Sequence, residues 1–250
     1  MRRLKAIVSY DGTQYHGWQV QPGLPTIQGL LEEHLAFIEG AKVHVEGSGR
    51  TDAGVHALAV CAVFNLQNSI PAPNLRKALN RLLPPDIRVL DVTEAAPDFH
   101  PRFQALAKTY EYRLWRAEIC PPFRYRYVLH HPYALNEDAM IECALLLSGE
   151  HDFTAFCASD PGDTLGQSKV RRIYSSEVRR EGETLLYRVR GSGFLKHMVR
   201  FLIGFLLEVG KGNENPQSLR EYLNPQAKRK SQPAAPARGL FQISVEYPEI

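Results

Sequence analysis

The spacing of apolar positions changes along the chain, and the changes outline its secondary structure. Residues 4–9 alternate between apolar and polar, as a half-buried strand does. Ile27, Leu30, Leu31, His34, Leu35 and Ile38 recur at helical spacing, with Thr26 placed to cap the first turn and Gly40 to stop the last. Strand-like stretches follow at residues 42–46 and 57–66. A helical stretch over 74–83 then ends at Pro84-Pro85, and a strand over 87–92 closes the series.

The second half has the same order. It predicts a strand over 108–115, a helix over 136–147, and a hairpin of 170–179 and 184–190 turning at Glu181-Gly182. A helix over 194–209 and a strand over 240–245 complete it. The expected fold class is therefore α+β. Two ferredoxin-like (split βαβ) halves, residues 1–100 and 101–250, would join into one long, mostly antiparallel sheet with helices on one face. Pro97 and Pro101 mark the boundary region, and the segment 225–237, rich in Pro, Ala and basic residues, reads as a basic surface loop beside the ligand.

Composition narrows the class of protein. The longest apolar run, residues 201–209, is broken by Gly204 and Glu208 and is too short to span a bilayer. The N-terminus runs directly into strand-like sequence, so a cytoplasmic protein is expected. Cys61, Cys120, Cys143 and Cys157 lie far apart without zinc or disulfide spacing, which predicts reduced thiols. The nine histidines show no metal spacing either.

A formal charge of +3 is too small to identify a nucleic-acid partner, but the basic residues are clumped. Clumps occur at Arg2-Arg3-x-Lys5, Arg124-Tyr125-Arg126-Tyr127, Lys169-Val170-Arg171-Arg172, Arg179-Arg180, Lys196-His197-x-x-Arg200 and Lys228-Arg229-Lys230. Several interleave with aromatics, as a surface that neutralises phosphates and stacks on bases requires.

The most informative stretch is Gly47-Ser48-Gly49-Arg50-Thr51-Asp52-Ala53-Gly54-Val55-His56-Ala57, a glycine-rich connection between two predicted strands. Arg50 and Asp52 can fold onto each other across a tight turn, which would hold Asp52 ionised. An ionised carboxylate without a second carboxylate beside it suits a nucleophile. A structural Arg-Asp turn is the competing account, and no phosphate-loop, dinucleotide or serine-elbow motif is present.

Residues 49–57 resemble the G-R-T-D-x-G-V-H-A motif of the tRNA pseudouridine synthase A family. The resemblance continues through Tyr10-Asp11-Gly12-Thr13-x-Tyr15-x-Gly17-Trp18-Gln19, Thr26-x-Gln28-Gly29, Phe99-His100-x-Arg102-Phe103-x-Ala105 and Lys108-x-Tyr110-x-Tyr112. It resumes at Gly193-Phe194-Leu195-x-x-Met198-Val199-Arg200-x-x-x-Gly204 and Ala235-Pro236-Ala237-x-Gly239-Leu240. One departure is Cys157, where the family often has a basic residue.

The resemblance implies an isomerase that converts uridine to pseudouridine at positions 38–40 of the tRNA anticodon arm, working as a homodimer without metal or organic cofactor. Asp52 would be the catalytic nucleophile, attacking either the ribose C1′ or C6 of the base. Tyr110 would stack on the target uracil and take the C5 proton, Arg50 would pair with Asp52 and guide the flipped nucleotide, and Leu240 would wall the pocket. Arg200, on an otherwise apolar helix, should find a carboxylate or a phosphate and face the catalytic cleft. Two rival readings are a non-catalytic RNA-binding module and a glycoside-type hydrolase; the latter needs a second carboxylate within about 5–10 Å of Asp52.

Overall fold

The computed structural model describes residues 1–159, 166–227 and 233–248. The fold is α+β, with ten strands and five α-helices among these residues. The chain divides into two compact units, residues 1–106 with 241–250, and residues 107–240. The last strand thus sits with the first unit rather than with the residues that precede it in the chain.

The first unit contains β1 (Arg2–Tyr10), α1 (Ile27–Glu39), β2 (Val45–Gly47), β3 (His56–Leu66), α2 (Ala72–Leu82) and β4 (Ile87–Glu94). The strand β10 (Leu240–Glu246) joins it, with Phe241 opposite His56 and Gln242 opposite Ala57 in a parallel pairing with β3. The pairs β1/β3, β1/β4 and β2/β3 are antiparallel.

Alternation along the strands sorts the residues by face. Leu4, Ala6 and Val8 of β1 and Val60, Ala62 and Phe64 of β3 pack with Leu31 and Leu35 of α1 and Leu75 and Leu79 of α2. The opposite face of β3 presents Cys61 and Val63, covered by Phe99 and Tyr247. The caps are those the spacing predicts: the Thr26 side chain accepts from Gly29 N–H, and Gly40 adopts a left-handed conformation at φ 74°.

The second unit contains β5 (Ala107–Trp115), β6 (Leu129–His130), α3 (Glu137–Leu145), β7 (Gly149–Asp152), β8 (Val170–Glu181), β9 (Thr184–Gly191), α4 (Met198–Gly210) and α5 (Leu219–Tyr222). Its antiparallel strands run in the order β5, β9, β8, β7, and β6 adds a short parallel pairing to β5. The short strands β6 and β7 escape the sequence pattern because two to four residues carry no readable alternation. Helix α4 begins four residues later than its apolar pattern suggests. His197, with φ 61°, breaks the backbone just before it, so that Phe194 and Leu195 belong to the approach rather than the helix. Part of the basic segment around 225–237, including Lys228, Arg229 and Lys230, lies outside the described residues.

Candidate active site

The loop carrying Asp52 is held at the head of β3 by the segment around Tyr15 and Trp18 and by a turn of its own. Trp18 N–H donates to the Thr51 carbonyl at 3.1 Å, Gly54 N–H to the Tyr15 carbonyl at 3.2 Å, and Val55 N–H closes a turn onto the Asp52 carbonyl at 3.1 Å. Gly54 lies at φ 77°, where a side chain is disfavoured. The Tyr10 hydroxyl shares a buried hydrogen bond of 2.8 Å with Thr51 Oγ1. Burial pushes the Tyr10 hydroxyl pKa up, so it stays neutral and able to donate.

Gly17 shows why the segment before α1 needs a glycine. Its φ is 86°, and a Cβ there would come within 2.4 Å of the Thr51 carbonyl oxygen. The backbone of α1 enters the same framework, because Ile27 N–H donates to Gly17 O and Gln28 N–H to Trp18 O. The buried Gln28 side chain ties the segment to β2 by accepting from Val20 N–H at 3.2 Å and donating to Val45 O at 3.1 Å. The motifs around Tyr15, Thr26 and Asp52 are therefore one hydrogen-bonded scaffold, whose polar groups are satisfied on burial.

On this scaffold Thr51 and Val55 are buried while Asp52 is half-buried and Arg50 exposed. A carboxylate partly open to solvent on an anchored turn can meet a ligand without the loop rearranging. Arg50, expected from its spacing to pair with Asp52, is exposed on the same turn.

Tyr110, Arg200 and Leu240 belong to the second unit, whereas Asp52 and Arg50 belong to the first. Tyr110, only 7% exposed, lies on β5 opposite Val189, and its ring meets Phe194 edge-on at 5.0 Å between centroids. Leu240 is buried and opens β10. Arg200 Nε donates to the Ala235 carbonyl at 2.7 Å, and Ala235 N–H donates back to the Arg200 carbonyl at 2.9 Å. Arg200 thereby clamps the segment that leads to Leu240.

Two neighbours complete this clamp. The fully buried Tyr112 donates through its hydroxyl to the Pro236 carbonyl at 2.8 Å. A Cβ on Gly239 would meet the Tyr112 ring at 2.8 Å, so glycine is required for the segment to lie on β5. The motifs around residues 200 and 235 thus pack on each other, a relationship that separate readings of the two did not contain.

Sequence reasoning also passed over His56 and the basic residues of α2. His56 lies buried beside the Asp52 loop and stacks on Phe241 at 4.7 Å between centroids. The repeat of Lys77 and Arg81 four residues apart on α2 was the available signal for the second. Among the described residues no helix is long and apolar enough to cross a membrane, and no cluster of three or more His, Cys, Asp or Glu could hold a metal ion.

A family model described as tRNA pseudouridine synthase matches residues 6–104 and 143–248. A tRNA pseudouridine synthase A from Solibacter usitatus is 58% identical over 247 residues, covering 99% of this chain and 100% of the relative. One from Geobacillus kaustophilus is 44% identical, over 98% of this chain and 95% of the relative. Another, from Brevibacillus brevis, is 41% identical over 99% of this chain and 100% of the relative.

Proposed function

Because the chain belongs to the tRNA pseudouridine synthase family, and is an isomerase acting on tRNA, we propose that Asp52 is its nucleophile and that its targets are uridines 38–40 of the anticodon arm. The observation that carries the assignment is the placement of Asp52: a half-exposed carboxylate on a turn whose backbone is tied to Tyr15 and Trp18 and whose neighbours Thr51 and Val55 are buried.

The reaction exchanges one bond of the uracil for another. The bond from N1 to the ribose C1′ breaks, the ring rotates, C5 bonds to C1′, and the proton on C5 leaves. Asp52 attacks either C1′, forming an ester to the sugar, or C6, forming an adduct to the base; in both routes the carboxylate is released when the C–C bond is in place. Tyr110 has the role of stacking on the uracil and accepting the C5 proton. Stacking returns about 1–3 kcal/mol of the few kcal/mol that flipping a nucleotide costs. Its edge contact with Phe194 fixes the ring for that purpose. Arg50, exposed beside Asp52, is available to the RNA backbone of the flipped nucleotide. Leu240, held by the Arg200 clamp, supplies an apolar wall.

By the same resemblance the enzyme works as a cytoplasmic homodimer, which sedimentation of the purified protein checks directly. The test of the chemistry is tritium release from C5-labelled uridine in bulk tRNA, by the parent and by Asp52→Asn. Release by the parent alone supports the nucleophile. Release by both removes Asp52 from the role. Tight tRNA binding without release by either would leave a binding module. Mapping the product by primer extension after carbodiimide treatment tests the positions.

A further inference from the structure

Helix α2 and strand β4 flank an open, shallow groove of about 480 Å³ in the first unit, lined by Arg76, Lys77, Asn80, Arg81 and Arg88. Its lining contains four cations and no carboxylate. Among the described residues none of the four is paired with an acidic side chain. Arg2 and Arg3 of the same unit, by contrast, each hold a glutamate, at 2.6 and 2.9 Å.

The groove is held open by polar bonds that leave most of this charge unspent. Asn80 Nδ2 donates to the Val89 carbonyl at 2.7 Å and its Oδ1 accepts from Val89 N–H at 2.9 Å, which fixes the spacing of helix and strand. Arg76 reaches the Leu90 carbonyl at 3.1 Å, and Arg88 donates to the Pro84 carbonyl at 2.7 Å. These acceptors are neutral, so both guanidinium groups keep their full charge. Lys77 and Arg81 are exposed and stand one helical turn apart on the rim.

The position of the groove relates it to the reaction. Tyr10 is opposite Ile87 of β4 on one side and Ala57 of β3 on the other, so Arg88 lies at the same end of the sheet as the Asp52 loop. Strand β4 is two strands from β3, about 10 Å at the usual strand spacing. The Asp86 carboxylate, just before β4, accepts from the Tyr15 hydroxyl at 2.6 Å, which ties the mouth of the groove to the scaffold under Asp52. From there the groove runs along β4, away from that end, towards Leu90.

We propose that this groove is a track for the RNA phosphate backbone that flanks the target uridine. Cations spaced along an open groove whose lining holds no carboxylate bind a polyanion whose charges repeat, and the exposed Leu90 at the far end offers apolar surface to a sugar edge. The assignment rests on the tRNA-modifying reading above and adds to it a contact that the loop motif does not contain.

The test replaces the three cations on the helix together, Arg76→Gln with Lys77→Gln and Arg81→Gln, and leaves in place Asn80, which sets the helix–strand spacing, and Arg88, which ties the turn into β4. Tritium release from C5-labelled tRNA is measured for parent and variant from low to high salt. The variant's KM is expected to rise about tenfold or more with kcat within about twofold, and the slope of log(kcat/KM) against log salt to fall by roughly two to three, about 0.7–0.9 for each lost phosphate contact. A charge-conserving variant, Arg76→Lys with Lys77→Arg and Arg81→Lys, is expected to restore most of the parent KM and salt slope. Parent-like KM and salt slope in the Gln variant, with an unchanged thermal midpoint, overturn the proposal while leaving the catalytic reading intact. Restoration absent in the charge-conserving variant overturns it too, because the effect would then be structural. A parent that releases no tritium is a failure of the catalytic reading instead; binding of radiolabelled tRNA to the same variants then decides the groove by the same change in salt slope.

Discussion

A Cβ placed on Gly204 of α4 would lie 2.2 Å from the carbonyl oxygen of Pro233. Two stretches of chain far apart in sequence therefore touch backbone to helix, and the contact continues through the paired hydrogen bonds of Arg200 and Ala235.

Gly204→Ala should force the segment 233–236 away from α4, since the obstructing atom is backbone and cannot rotate aside. The cost of such overpacking is about 1–3 kcal/mol. Because the displaced segment leads to Leu240, tritium release should fall as well. Thermal unfolding and single-turnover rates on one preparation check both effects; a parent-like midpoint and rate would show that the segment yields freely.

His56 Nδ1 lies 3.1 Å from Gly12 N and 3.0 Å from Asp11 Oδ1. In the neutral ring with its proton on Nε2, Nδ1 accepts from Gly12 N–H; when Nδ1 carries a proton it faces the Asp11 carboxylate as a donor. His56→Ala removes a fully buried ring and leaves Gly12 N–H without its acceptor, for an expected loss of about 2–4 kcal/mol. His56→Asn, which keeps an acceptor near the same place, should recover part of it. If the ring serves chiefly to hold the Asp52 turn, kcat will fall more than KM rises in both variants; an effect on KM alone would contradict that role.

Glu208 sits near the end of α4, where a negative charge opposes the helix dipole, and is compensated by Lys211 at 2.7 Å and Asn213 at 2.7 Å. These bonds hold its carboxyl below the ordinary value of 4.5. A depressed folded-state pKa contributes stability that is present above the unfolded value and lost as pH falls through the folded one. Parent and Glu208→Gln should therefore differ most in thermal midpoint at neutral pH, by an amount fitting a surface pair of under about 1 kcal/mol. The difference should close as the pH is lowered below 4.5. A gap that widens on acidification would reverse the assigned sign.

Much of the molecule follows from the order of residues alone. Thr26 and Gly40 bound α1 because a side-chain acceptor and a left-handed glycine are local requirements of a helix end. The alternation in β1 and β3, and the loop from 47 to 57, are equally local, and the family is legible there because its motif is contiguous. What tertiary structure alone decided is which distant groups meet. The sequence brings Arg50 and Asp52 within two positions, but only the fold shows that Arg50 is exposed while Asp52 is half-buried on a turn tied to Tyr15 and Trp18, and that Arg200 joins α4 to the Ala235 carbonyl. The cations of α2 look like the solvated face of a polar helix until β4 is laid beside them and Arg88 closes the groove. Periodicity reports only which side of an element is apolar, whereas the partner of a polar group depends on contacts between residues tens of positions apart, which no local spacing encodes.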